Sequence, residues 1–325
     1  MKTSRQNLNG SKMPYPVERP VVFIVGPTAV GKTEIAVHIA NQLQAEIISA
    51  DSRLFYREMD IGTAKPSNHE RNSIKHHLID VADPDETWSL AIFQNAAMAA
   101  IDQILENRKL PIVVGGTGQY IRALIEGWTI PELEPCQPLR HFLLKWAEEI
   151  GPEQLYQKLQ VVDPEAAKRI EWQNTRRTIR ALEVMLITGK RFSDSRRNKT
   201  PKICYKMVGL NRSRGDLYQR IDLRLEKMIA DGFIAEVQAL LSKGYSSELP
   251  SFSAIGYREI AASIQGIISL EEAISLIQKK TRVFVRRQAN WFKTNDQRIN
   301  WFEVQPGIEN KIIDFINEDP DWICD

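Results

Sequence analysis

Residues 26–33, Gly-Pro-Thr-Ala-Val-Gly-Lys-Thr, carry the most specific chemistry in this chain. Gly26, Pro27, Thr28, Ala29, Val30, Gly31, Lys32 and Thr33 fit the pattern G-x-x-x-x-G-K-[ST]. Glycines let backbone N–H groups curl round phosphate oxygens with no Cβ in the way. A helix beginning there adds unpaired N–H groups and the positive end of its dipole. Lys32 supplies a point charge, and the Thr33 hydroxyl can ligate Mg²⁺. The pattern specifies a bound di- or triphosphate; ATP is one such ligand among several.

Further groups have residue types suited to the same chemistry. Asp51 follows the short apolar run 46–49, and a residue beyond the carboxyl end of a parallel strand stands where α/β sheets bind ligands. The alternative readings make Asp51 a helix N-cap or a Mg²⁺ carboxylate of Walker-B type. Residues 52–66, SRLFYREMDIGTAKP, fit neither a plain helix nor a plain strand and form a candidate substrate loop. Residues 109–118, KLPIVVGGTG, repeat the strand and glycine turn of the opening motif and add the Thr117 hydroxyl. Arg220 and Arg224 lie one helical turn apart, a spacing suited to a phosphate or to a surface pair bridged to Asp222 or Glu226. Ser253, Ala254, Ile255, Gly256, Tyr257 and Arg258 make a turn with an aromatic ring and a cation. The neighbours His76 and His77 would point to opposite faces of a strand, which argues for structural roles and not for a shared metal.

Hydrophobic periodicity predicts the elements that must hold these groups. Strands are expected at 21–25, 46–49, 109–114 and 207–210, and helices at 33–43, 87–108 and 119–124. Beyond Gly127 the prolines at 131, 135 and 138 mark a linker, followed by helical stretches at 139–150, 152–160, 164–170 and 175–188. Asp216 is a candidate cap for a further helix, 271–289 reads as a basic helix, and 308–316 as a small amphipathic one. The expected fold is α/β: a P-loop NTPase-like parallel sheet flanked by helices, with a mostly helical insertion domain. Its parts are a flexible leader (1–20), an α/β core (21–128 and 200–304), the insertion (129–199) and a tail (305–325).

Composition narrows the function classes. The chain has 325 residues, 43% hydrophobic and 26% charged, as in an ordinary globular protein. Its net charge is only +2, yet residues 168–202 hold 11 Lys/Arg against 3 Asp/Glu, and residues 279–298 hold 7 against 1. Two basic blocks on an otherwise acidic chain point to a polyanionic partner. No apolar run reaches the roughly 20 residues of a membrane span. Cys136, Cys204 and Cys324 form no C-x-x-C pair, which argues against a zinc site and for a reducing, cytoplasmic setting.

Together these motifs resemble the tRNA dimethylallyltransferases, also called tRNA isopentenyltransferases. The matching segments are GPTAVGKT from Gly26, ISADS from Ile48, YREMDIGTAKP from Tyr56, VVGGTGQY from Val113, RRTIRALEV from Arg176, LYQRIDLR from Leu217 and SAIGYRE from Ser253. They occur in the family's order across nearly the whole chain. The resemblance implies transfer of a dimethylallyl group from dimethylallyl diphosphate to N6 of the adenosine 3′ to the anticodon, in tRNAs reading codons that begin with U. It makes Asp51 the general base and Arg224 the catalytic arginine. Residues 26–33 then hold the diphosphate, with Thr28 and Lys32 in contact and Thr33 on Mg²⁺. Asp51, Ser52, Arg53, Leu54, Thr117, Arg176, Arg177, Thr178, Ile179, Arg180 and residues 253–258 match segments that contact the tRNA anticodon stem-loop. Many members carry Gln where this chain has Arg53. A monomer is expected.

Two rivals share the opening motifs. A small-molecule or nucleoside kinase also pairs a P-loop with a carboxylate after the second strand, but the basic helical insertion is oversized for a phosphate lid. A free-nucleotide isopentenyltransferase would use the same core on an adenylate acceptor. A non-enzymatic RNA-binding GTPase or ATPase should show an N-K-x-D motif or a Walker-B strand, and neither is evident.

Overall fold

The computed structural model describes residues 17–130, 133–196, 203–318 and 322–324. In chain order these form β1 (Pro20–Val25), α1 (Lys32–Gln42), β2 (Ala45–Ser49), α2 (Asn68–Ser73), β3 (His76–His77), α3 (Leu90–Glu106), β4 (Leu110–Gly115) and α4 (Gly118–Ile125). Then come α5 (Gln137–Ile150), α6 (Pro152–Val162), α7 (Pro164–Ala167), α8 (Thr175–Thr188), β5 (Cys204–Asn211) and α9 (Arg214–Ala230). The chain continues with α10 (Phe233–Ser242), α11 (Tyr257–Ile264), α12 (Leu270–Trp291), β6 (Ile299–Glu303) and α13 (Ile308–Asn317). The leader expected at 1–20 lies mostly outside the described residues, as does the end of the basic loop at 197–202.

All strand pairs of the six-stranded sheet are parallel, in the order β3-β2-β4-β1-β5-β6. The central strands β1 and β4 are buried along their whole length, which is why both read as unbroken apolar runs. Their register pairs Val25 with Gly115, so the two glycine loops leave the sheet side by side. The crossover from β1 leads to β2 on one side, and the chain after β4 re-enters the sheet at β5 on the other. Ligands bind at such a switch point, beyond the carboxyl ends of the strands. One core cluster joins β1 and β4 to Ile35, Ala36 and Ile39 of α1 and to Ile308, Ile312 and Ile316 of α13. A second joins α9, α10, α11 and α12 through Leu225, Phe233, Val237, Tyr257, Ile260 and Ile277.

The chain divides into two compact units, one of Met1–Ser89, Phe93–Ile121 and Lys202–Asp325, the other of Leu90–Ile92 and Arg122–Pro201. The second has its own core, with Leu143, Leu155, Leu159, Ile179 and Leu182 from α5, α6 and α8. Inside it the buried Glu183 accepts Arg140 Nε at 2.9 Å, Arg180 Nη1 at 2.6 Å and the Cys136 N–H at 2.9 Å. Burial alone would raise that carboxyl's pKa, but the hydrogen bonds from Arg140 and Arg180 win and lower it.

Several expectations need correction. Ser213, not Asp216, caps α9: its hydroxyl accepts the Asp216 N–H, and Asp216 sits in the first turn, paired with Arg212. The helix expected at 164–170 stops at Ala167. The small amphipathic helix expected at 308–316 is present as α13 and packs into the sheet's core, and the buried Lys206 on β5 donates to the carbonyls of Phe315 and Glu318 at 2.5 Å each. Cys204 and Cys324 are disulfide-bonded across 120 residues, so the cysteines do not support a reducing setting. Spacing concealed the pair because Tyr205 and Ile323 form an isolated antiparallel bridge that brings the chain's end to β5. His77 Nε2 meets the buried Glu46 at 2.7 Å and His76 Nδ1 meets the Ile74 carbonyl at 2.8 Å, the structural roles expected of them. Among the described residues, no helix is long and apolar enough to cross a membrane.

Candidate active site

The phosphate loop, residues 26–33, runs from the buried end of β1 to α1, which begins at Lys32 with Gly31 as its cap at φ 106°. That left-handed conformation requires the glycine. Two arginines shape the loop. Arg220 Nε donates to the Ala29 carbonyl at 2.8 Å, and Arg212 Nε to the Val30 carbonyl at 2.9 Å. The C=O and N–H of a trans peptide point opposite ways, so the Val30 and Gly31 N–H groups face away from these cations. Lys32 Nζ donates to the carbonyls of Gly26 at 3.0 Å and Pro27 at 2.7 Å. Desolvation lowers its pKa to about 8, with Asp51 opposing the shift and Arg224 adding to it.

Asp51 sits just past β2, where the Ala50 N–H donates to the Val114 carbonyl at 2.8 Å. Asp51 Oδ1 accepts the Arg53 N–H at 3.0 Å, a local turn that orients the carboxylate. This turn replaces the helix N-cap reading, since no helix follows Asp51. Arg53 also donates from Nη1 to the Pro250 carbonyl at 3.2 Å. Arg224 on α9 has its pKa lowered, chiefly by desolvation and further by Arg220, while Asp51 opposes the shift. The bridging of Arg220 and Arg224 to Asp222 does not occur: Asp222 binds Arg282 at 2.7 Å.

Two cavities meet here. The smaller, of about 480 Å³, is lined by the cations Lys32, Lys65, Arg220, Arg224 and Lys227, by the carboxylates Glu34, Asp51 and Glu70, and by Thr33. The larger, of about 810 Å³, is lined by Thr117, Arg287 and Trp291 and by an apolar wall that includes Ile221, Leu225 and Met228. Thr28, Ala29, Asp51, Thr63 and Arg224 line both. A carboxylate therefore stands where the cavity beside the 26–33 loop meets a larger, partly apolar one. Ser52 and Arg53 line the larger cavity and Leu54 the smaller.

The loop at 60–66 forms part of both walls. Glu236 accepts the N–H groups of Asp60 at 2.8 Å, Ile61 at 2.7 Å and Gly62 at 3.1 Å, and the Tyr257 hydroxyl at 2.6 Å. Lys65, almost fully buried, holds the other end by donating to the Tyr56 carbonyl at 2.6 Å and to Asp60 and Asp80 at 2.5 Å each. Tyr257 was expected at the RNA surface, but it is wholly buried, as are Ala254 and Gly256. Its turn presents Ser253 and Ile255 to the larger cavity, while Arg258 is exposed and donates to the carbonyls of Ser247 and Glu248 at 3.1 Å each.

In the helical unit, Arg176 and Arg177 are exposed on the first turn of α8. Thr178 and Ile179 are buried, Ile179 in that unit's hydrophobic core. Arg180 is half-buried and engaged with Glu183 and the Leu133 carbonyl.

Thr33 is a suitable partner for Mg²⁺, which takes few protein ligands and completes its shell with phosphate oxygens and water. Among the described residues no cluster of three or more His, Cys, Asp or Glu forms an all-protein cage. Sequence reading passed over Gln288 and Arg212. Gln288 occupies the inward stripe of α12 one turn after Val285, and a polar residue in that phase was the available signal.

A family model described as IPP transferase matches residues 54–295, and one described as isopentenyl transferase matches residues 19–86. A protein of Thermomicrobium roseum named tRNA dimethylallyltransferase is 47% identical over 290 residues, covering 89% of this chain and 88% of that protein. One of the same name from Herpetosiphon aurantiacus is 49% identical over 280 residues, covering 86% of this chain and 89% of that one. The crystal structure of the tRNA isopentenylpyrophosphate transferase of Bacillus halodurans superposes with a TM-score of 0.69 at 38% identity, over 92% of this chain and 96% of that one. A eukaryotic dimethylallyltransferase captured acting on tRNA superposes with a TM-score of 0.78 at 26% identity, over 93% of this chain and 81% of that one. With its 26–33 loop, Asp51 and second glycine turn at one sheet edge and relatives of this similarity across most of its length, the chain belongs to the IPP transferase family.

Proposed function

We propose that this protein transfers a dimethylallyl group from dimethylallyl diphosphate to N6 of the adenosine 3′ to the anticodon of tRNA, releasing pyrophosphate. The observation that supports the reading is Asp51, which lines both the cavity beside Lys32 and Thr33 and the larger one with an apolar wall. The diphosphate lies on the 26–33 loop, and the five-carbon tail extends toward Ile221, Leu225 and Met228. The N6 lone pair forms a bond to C1 of the allyl group as the C1–O bond breaks. The electron pair of that bond leaves on the diphosphate, and the N6 proton passes to the Asp51 carboxylate. Lys32, Arg224 and the loop N–H groups stabilise the charge that develops on the leaving oxygen. Mg²⁺ held by Thr33 would neutralise further diphosphate charge.

The acceptor adenine is stacked in the anticodon loop and must be drawn out to reach Asp51. Arg176 and Arg177 on α8 and the cations of α12 supply contacts to RNA phosphates. The protein acts as a monomer in the cytoplasm, where its tRNA substrate is found.

The test is incubation with radiolabelled dimethylallyl diphosphate plus tRNA, free adenine nucleotides or neither. Label is expected in tRNA alone, and EDTA should abolish it. An Asp51→Asn protein should lose about 10²-fold or more in single-turnover rate with tRNA affinity changed only a few-fold. Comparable label in free AMP would establish the adenylate transferase instead, and ATP consumption without allyl transfer would establish the kinase.

A further inference from the structure

Gln288 lies in the last turns of α12, buried next to the exposed Arg286 and Arg287. Its side chain is only 4% exposed, and both ends of its carboxamide are used. Oε1 accepts the Thr28 N–H at 2.8 Å, and Nε2 donates to the Gly116 carbonyl at 3.1 Å. One planar group therefore touches both the phosphate loop after β1 and the glycine turn after β4. A carboxamide is one of the few side-chain groups that can accept and donate in this way with no net charge. A charged group in its place would disturb the balance between Lys32, Arg224 and Asp51.

The glycine turn is shaped to receive this helix. A Cβ on Gly116 would lie 2.1 Å from Gln288 Nε2, and one on Gly118 would lie 2.3 Å from Trp291 Cβ. Thr117, between these two contacts, lines the larger cavity with Gln288 and Trp291. The Thr28 N–H, engaged by Gln288, is not among the loop donors offered to an anion. Val30 and Gly31, whose preceding carbonyls are tied down by Arg220 and Arg212, are.

We propose that Gln288 is a positioning residue for the transfer reaction: its carboxamide sets the spacing between the loop that holds the donor diphosphate and the turn that carries Thr117 on the acceptor side. This rests on the function proposed above. Its consequence is that loosening Gln288 should misalign donor and acceptor without removing any group that binds tRNA phosphates.

The test uses the full chain with Gln288→Met, which keeps the length and loses both hydrogen bonds, Gly116→Ala, and the double variant Gly116→Ala/Gln288→Ala with its Gln288→Ala parent. Gln288→Met should lower the single-turnover rate at saturating substrates by about tenfold or more, while the Kd for tRNA stays within about threefold. Calorimetry should show pyrophosphate binding weakened by about fivefold or more, a readout independent of what the acceptor is. Gly116→Ala should be harmful in the wild-type background and nearly neutral once Gln288 is Ala, because its clash is with the amide. A wild-type rate and pyrophosphate affinity in Gln288→Met would overturn the proposal. So would a Gly116→Ala penalty of the same size with and without Gln288, or a loss of rate matched by an equal loss of tRNA affinity. If the wild-type protein transfers no label to tRNA, the function fails, and the pyrophosphate and double-variant measurements still decide the role of Gln288.

Discussion

Lys32 illustrates how the fold changes a residue's chemistry. In solution its amine would hold a proton past pH 10, but desolvation beneath the loop brings its pKa to about 8. A bound diphosphate favours the ammonium form, so binding raises that pKa. Below about pH 8 the free enzyme already carries the proton, and affinity should change little with pH through Lys32. Above it, binding must be accompanied by proton uptake, and pyrophosphate affinity should fall by up to about tenfold per pH unit until the bound-state pKa is reached. Calorimetry in buffers of different ionisation enthalpy at pH 8.5 should register that uptake. A flat affinity between pH 7 and 9.5 would contradict it. That Lys32 is a candidate phosphate ligand was legible from G-x-x-x-x-G-K-[ST], but its altered acidity was not, because the desolvation that causes it depends on how the distant parts of the chain pack over the amine.

Helix α8 separates residues that the sequence placed together. Residues 176–180 match a tRNA-contacting segment as a run, but a helix rotates successive side chains through its whole circumference. Arg176 and Arg177 are exposed, Thr178 and Ile179 face the core, and Arg180 braces Glu183. Changing Arg176 and Arg177 to Ala should therefore flatten the log–log salt dependence of tRNA binding by about one unit per lost phosphate contact and leave the thermal midpoint unchanged. Arg180→Ala should instead lower the stability of the helical unit, by about 1–3 kcal/mol, since a buried carboxylate loses one of its partners. Salt-titrated binding and thermal denaturation distinguish the two. An unchanged slope in the double variant would leave those arginines as a solvated face.

At the scale of the whole molecule, the Cys204–Cys324 bond closes a loop of more than 100 residues and fastens the end of the chain to β5. A cross-link of this reach is worth about 2–4 kcal/mol, largely by restricting the unfolded chain. Cys204→Ser, or reduction of the native protein, should lower the urea midpoint accordingly. The transfer rate at 25 °C should not change, because the bond lies at the amino end of β5 and the active site at the carboxyl ends of the strands. A midpoint identical with and without reductant would argue that the bond contributes nothing to folding.

The sequence by itself determined the elements whose logic is local. The 26–33 loop, the parallel strands flanking it and the helices of the insertion are each encoded by spacing, period and turn residues within one short window. It also placed Asp51 and Thr117 at the sheet edge, since that follows from their position after a strand. The tertiary structure decided everything that depends on partners distant in the chain. Arg220, placed on α9, ties the Ala29 carbonyl of the loop as well as lining the cavity beside it, and Tyr257 turned from a candidate RNA contact into a buried partner of Glu236. Gln288 came to bridge two loops that precede it by 260 and 172 residues. Local pattern records which face of an element is buried; only the packed fold determines what each buried polar group must meet there, because an unpaired one would be costly.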